Sequence, residues 1–136
     1  MKSWKLWVAG SAGAAMMLSA PVAAFAVNVS SDDGAGNQYV SSWLDHGANM
    51  YGNLKSIHGN KVYYAGTVVY DNWPDDNKGR YTSDTTSMSY VSRGGQLGGD
   101  SSFGDPIIDG VHVKICRNRP YVPDGCGSDS NTIRRY

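Results

Sequence analysis

The chain has 136 residues, with twelve lysines and arginines balancing twelve acidic residues to a formal net charge of zero. Without Lys2 and Lys5, which lie in an N-terminal leader, the balance becomes about −2, and no basic excess is left to serve nucleic acid or an anionic membrane. All twelve acids are Asp, and seventeen residues are Gly. That composition favours turns over helix and suits a loop-rich β protein.

Residues 1–26 read as a secretion signal. Lys2 and Lys5 form a basic start, residues 6–18 are apolar and rich in Ala, Gly and Met, and Ala24-Phe25-Ala26 fits a small-x-small cleavage site. The apolar run is too short for a good membrane anchor and no second one follows. The expected product is secreted and extracellular, with about 110 residues, enough for one modest core. Its two cysteines, Cys116 and Cys126, form an even pair in an oxidising compartment, so they predict a structural disulfide.

Residues 27–38 carry few large apolar side chains and a Ser-Asp-Asp-Gly cluster, which predicts a flexible N-terminal arm. Residues 39–54 are ambiguous. Val40, Trp43 and Leu44 have helical spacing, as do Met50, Tyr51 and Leu54, but Gly47 and Gly52 interrupt it, so short strands or one broken helical turn are expected. Residues 61–70 are the densest β-branched and aromatic run and predict a strand apolar on both faces. Such a strand is either central in a two-layer domain or covered on one face by a partner.

Residues 71–79 predict a turn with an exposed Trp73, and residues 80–83 a return strand. Residues 87–92 alternate and predict a half-buried strand, and residues 93–105 a long Gly-rich loop. Residues 111–116 alternate Val/Val/Ile against His/Lys/Cys and predict a second strong strand. Residues 117–126 should be a stapled turn, followed by a polar tail. The expected fold is therefore all-β, a small single-domain β-sandwich over 39–136 with long Gly/Asp-rich loops and the Cys116–Cys126 disulfide.

Chemistry is thinly marked. Gly99-Asp100-Ser101 resembles the run before a protease nucleophile, but Ser102 follows it and no Gly-x-Ser-x-Gly elbow occurs. Asp71, Asp75, Asp76 and Asn77, and separately Asp100, Asp105 and Asp109, offer oxygen ligands suited to calcium. Neither set has EF-hand spacing or a Glu to close it, so solvated turn aspartates are expected and no cofactor is implied. His46, His58 and His112 are too scattered to suggest a metal site. The aromatic residues point instead to binding, because Tyr and Trp bring contact area with little rotamer entropy. The candidate partner-binding residues are Val27, Val29, Tyr39, Trp43, Tyr63, Trp73, Tyr81 and Tyr121. Of these, Trp73, Tyr81 and Tyr121 are expected to be exposed.

Several segments carry a resemblance: Lys61-Val62-Tyr63-Tyr64-x-Gly66-Thr67-Val68-Val69, Gly79-Arg80-Tyr81-Thr82, Asp109-Gly110-Val111, Ile115-Cys116-Arg117 and Pro123-Asp124-Gly125-Cys126. Together they span about half of the chain after the leader, and the chain resembles the small adaptor subunit of the Streptomyces umbrella toxin particles. The resemblance implies a non-enzymatic linker between a lectin subunit and the spokes of a large repeat-containing, toxin-bearing chain in competition between bacteria. Ser42-Trp43, Met50-Tyr51-x-Asn53-x-x-Ser56 and Thr67-Val68-Val69 also resemble the lactococcin 972-like bacteriocins. That family's aromatic C-terminus is missing here, and the stapled turn is no part of its pattern. A third expectation is a free carbohydrate-binding module acting through aromatics such as Trp73. No enzyme is expected under any of the three.

Overall fold

The computed structural model describes residues 26–70, 73–99, 106–127 and 131–136, with 73–78 and 131 described by their backbone. The expected leader lies outside these residues except for Ala26. Among the described residues every regular element is a strand. They are β1 (Val27–Ser30), β2 (Gly34–Trp43), β3 (His46–Ser56), β4 (Val62–Tyr70), β5 (Trp73–Arg80), β6 (Val91–Gly99), β7 (Gly110–Arg117), β8 (Gly125–Cys126) and β9 (Asn131–Arg134).

Two antiparallel sheets face each other. One runs β1-β2-β3-β6, and the other runs β5-β4-β7 with β8 and β9 both paired to β7. The core between them gathers Val29, Ala48, Met50 and Leu54 from the first sheet and Val62, Tyr64, Val68, Val111, Val113 and Ile115 from the second. Facing sheets with alternating inward side chains make a sandwich. The all-β expectation and the disulfide both hold, with Cys116 and Cys126 bonded across the β7–β8 pair.

β4 is central and buried along nearly its whole length, as its two apolar faces predict. Val62, Tyr64 and Val68 point into the core, while Tyr63 and Ala65 lie on the outer face with Cys116. β7 falls where its alternation placed it.

Other segments depart from expectation. The 27–38 arm is instead strand β1 and the first half of β2, and Val29 is only 2% exposed. Alternation explains this: Val27 and Val29 need only one buried face, and Ser31 Oγ accepts from the Asp33 and Gly34 amides to form the connecting turn. The ambiguous 39–54 region is a long hairpin. Met50 and Leu54 stand four apart, a spacing that satisfies a period of two as well as a helical one, and Ala48 completes the inward row.

The composition of residues 71–79 predicts a turn, yet β5 begins at Trp73 and tolerates Pro74 because it is an edge strand. The expected return strand at 80–83 is absent, since β5 ends at Arg80, after Gly79 with φ +76°. The half-buried strand expected at 87–92 is not formed over 87–90. There Thr85 Oγ1 accepts from the Ser87 amide and Ser87 Oγ from the Ser89 amide, and these local bonds compete with a ladder.

β6 occupies residues expected to be loop. Its glycines serve close approach, for a Cβ on Gly95 would lie 1.7 Å from the Tyr81 carbonyl oxygen. The polar tail likewise contains β9, which buries Ile133 and pairs it with Val111.

Candidate functional site

The loops joining β1 to β2, β3 to β4 and β7 to β8 meet at one end of the sandwich, and the stapled turn after β7 lies at their centre. Its base is held from several sides. Cys126 bonds Cys116, and the Asn118 amide donates to the Lys61 carbonyl at 2.9 Å. Asp124 then closes the turn on itself and on the outer face of β4. The Arg119 amide donates to Asp124 Oδ1 at 3.0 Å, and the Tyr63 hydroxyl donates to Oδ2 at 2.5 Å.

Arg80, at the end of β5, lies with its guanidinium 3.8 Å from the centre of the Tyr63 ring, in cation–π range. The same group approaches Asp84 at 3.2 Å and Asp124 at 3.9 Å. Asn118 Nδ2 donates to Asp84 Oδ2 at 2.9 Å, which ties the turn to the segment after β5. The electrostatics follow from these contacts. The Arg119 amide, followed by the Tyr63 hydroxyl, holds the Asp124 carboxyl below its ordinary value. Burial, followed by Asp124, raises the Tyr63 hydroxyl, with Arg80 opposing.

Above this clamped base the turn presents its tip. Tyr121 is 95% exposed, and Val122 beside it is also exposed. A groove of about 500 Å³ separates the turn from the β3–β4 loop, between Gly59, Asn60 and Lys61 on one wall and Arg117, Asn118 and Pro120 on the other. Met88, 64% exposed, stands over Gly59, and Ile57 and Tyr90 are exposed on the segments beside it. A second groove, of about 540 Å³, runs between the turn and the β1–β2 turn and is polar, with Asp32, Asp33 and Arg119 among its lining residues.

The predicted site residues scatter around this arrangement. Tyr121 is exposed as expected. Tyr81 is the opposite: it is 7% exposed, its ring stacks on Tyr64 with centroids 5.8 Å apart, and its hydroxyl donates to Gln38 Oε1 at 3.4 Å. Gln38 in turn donates to the Arg93 carbonyl at 3.0 Å, so Tyr81 belongs to a satisfied polar pocket in the core. Burial raises the hydroxyls of both Tyr64 and Tyr81.

Tyr63 is buried and works as the clamp under the turn, so it offers no free surface. Val29 is core, and Val27 packs against the core. Trp43 also packs there, at the far end of the sandwich, with Arg135 5.7 Å from its ring. Tyr39 lies on the outer face of the first sheet against Tyr51. The Trp73 side chain lies outside the described residues, as do Asp71, Asp100, Ser101 and Asp105 of the calcium and hydrolase expectations.

Met88, Tyr90, Ile57 and Val122 were missed. The Ser-x-Ser spacing of Ser87 and Ser89 is the signal that could have marked 87–90 as a turn. Among the described residues no three His, Cys, Asp or Glu side chains gather in a way that could hold a metal ion. No helix among them is long and apolar enough to cross a membrane. Comparison of the chain with protein-family models, with curated proteins and with solved structures gave no match.

Proposed function

We propose that the protein is a secreted, non-enzymatic binding subunit that links larger secreted chains, with the stapled turn as one of its contacts. The observation that carries this reading is Tyr121, almost fully exposed on a turn whose base is fixed by a disulfide, a buried tyrosine and a carboxylate. A rigid loop bearing an exposed aromatic loses little entropy on docking and supplies the side-chain type that dominates protein interfaces. Met88 and Pro120 beside the adjoining groove extend the apolar contact a partner could cover.

The resemblance to umbrella-particle adaptors gives the partners their expected character, a lectin-like chain and a large repeat-containing toxin chain. The disulfide fits export to an oxidising compartment. The experiment is to tag the C-terminus, recover the protein from culture medium, and identify and size what accompanies it. A stoichiometric high-mass complex is expected, with no growth inhibition by the isolated subunit. A lone small species that inhibits sensitive cells would contradict the linker reading and favour the bacteriocin one.

A further inference from the structure

The outer face of the β1-β2-β3-β6 sheet, on the side away from the core, has a composition of its own. Reading across the paired strands, one row is Asn28, Asn37, Asn53 and Ser92. The next is Tyr39, Tyr51 and Gly94, and the one beyond is Ser42, Asn49 and Gln96. These rows are amide, hydroxyl, aromatic and glycine throughout, and none contains a charged side chain. At ~4.8 Å between strands and ~6.8 Å between same-face rows, they span about 14 Å in each direction.

The central ring is held in place. Tyr51 is 46% exposed, and its ring meets Tyr39 edge-on with centroids 5.9 Å apart. On its other side lies Gly94, where a Cβ would come within 3.0 Å of Tyr51 Cδ1, so the absence of a side chain there leaves the ring room to lie over β6. The amides are fixed as well. Asn53 Oδ1 accepts from the Asn37 amide at 3.1 Å, and Asn49 Nδ2 donates to Ser42 Oγ at 2.7 Å. Lys55, one row further along β3, is drawn aside over the Tyr90 ring, 4.7 Å from its centre. Arg93 pairs with Gly52 and so alternates away from these rows, and its guanidinium donates to the Ser92 backbone carbonyl at 2.9 Å, at the edge of the sheet.

From this juxtaposition we infer that the outer face of the first sheet is a binding platform for a neutral polysaccharide chain. The chemistry matches on each count. A sugar ring presents an apolar C–H face that lies against an exposed aromatic ring, and vicinal hydroxyls pair with carboxamides, which donate and accept at once. A nucleic acid or anionic polymer would need cations that these rows lack. A protein partner would more often meet an apolar centre with Arg or Met, and those side chains stand at the stapled end instead.

The test uses the full chain with its disulfide intact, sedimented with insoluble cellulose, chitin and starch. Its amide resonances are followed separately during titration with cellohexaose, chitohexaose and maltohexaose. Retention on at least one polymer is expected, weakened at least tenfold by Tyr51→Ala, restored by Tyr51→Phe, and unchanged by Tyr121→Ala. The matching oligosaccharide should shift the amides of residues 37, 51, 53 and 94 in the native chain, a readout independent of any variant's folding. No retention on any polymer, retention that survives Tyr51→Ala, or shifts confined to the stapled end would overturn the proposal. Because Tyr121→Ala is a separate arm, failure here leaves the linker reading to its own test.

Discussion

The two sheets of this sandwich share one core but treat their outer faces in opposite ways. On β4 the outer face carries Tyr63 and Ala65, and the chain clamps its own stapled turn over Tyr63 through Asp124, with Arg80 across the ring. On β2 and β3 the outer face carries Asn37, Tyr39, Asn53 and Tyr51, and Tyr51 stays open to solvent. An apolar outer face needs a cover, and here one end of it is covered from within the chain. A face of amides and hydroxyls is readily solvated and needs none. The cover in turn becomes a rigid mount for an exposed tip.

The largest effect should come from the interior that both faces depend on. Tyr64→Ala removes a fully buried ring, its stack on Tyr81 and its hydrogen bond to the Asn53 carbonyl. A loss of about 3–5 kcal/mol is expected, read as a lowered denaturant midpoint at constant slope. Opening the disulfide comes next. With the bonded cysteines ten residues apart, the chain-entropy estimate is about 3 kcal/mol. The matching experiment compares urea unfolding of the native chain with that of the Cys116→Ser, Cys126→Ser double variant.

The clamp should also depend on pH at both limits. Asp124 has a lowered native value, so its contribution is present above its unfolded value near ~4 and is lost as pH falls through the native one. Tyr63 has a raised native value, so its contribution is complete below its unfolded value near ~10 and is lost as pH rises through the native one. Amide exchange in the 118–126 turn should therefore be slowest relative to the free-chain rate between these limits. Asp124→Asn should remove the acid-side change while leaving exchange in β3 and β4 unaltered. The smallest stability effect belongs to Tyr121→Ala, within about 0.5 kcal/mol, because the ring touches little of its own chain. Thermal melts of the two proteins should overlay.

Much of the fold was legible because hydrophobic alternation states which strands have a buried face. β4 and β7 follow directly from it, and the cysteine pair from its even count. The hairpin of β2 and β3 was half-hidden because Met50 and Leu54 fit two periods at once. β6 was hidden because its glycines look like loop residues, and only the Tyr81 backbone crossing Gly95 explains their place in a strand. Of the candidate site, Tyr121 could be read from its position between Pro120 and Pro123. Tyr81 could not, since nothing local reveals that it stacks on Tyr64 and meets Gln38, a residue 43 positions away. The neutral rows on the first sheet depend on strand register, which a single sequence leaves open.

The most direct test of the linker account is the mass of the secreted species with and without the exposed tip. The native protein and a Tyr121→Ala, Val122→Ala variant would be recovered from culture medium by the same C-terminal tag and compared by light scattering. The account predicts a high-mass complex for the native chain and a lone folded subunit, with an unchanged melt, for the variant. A native chain that emerges alone, or a variant that still assembles to full mass, would contradict it.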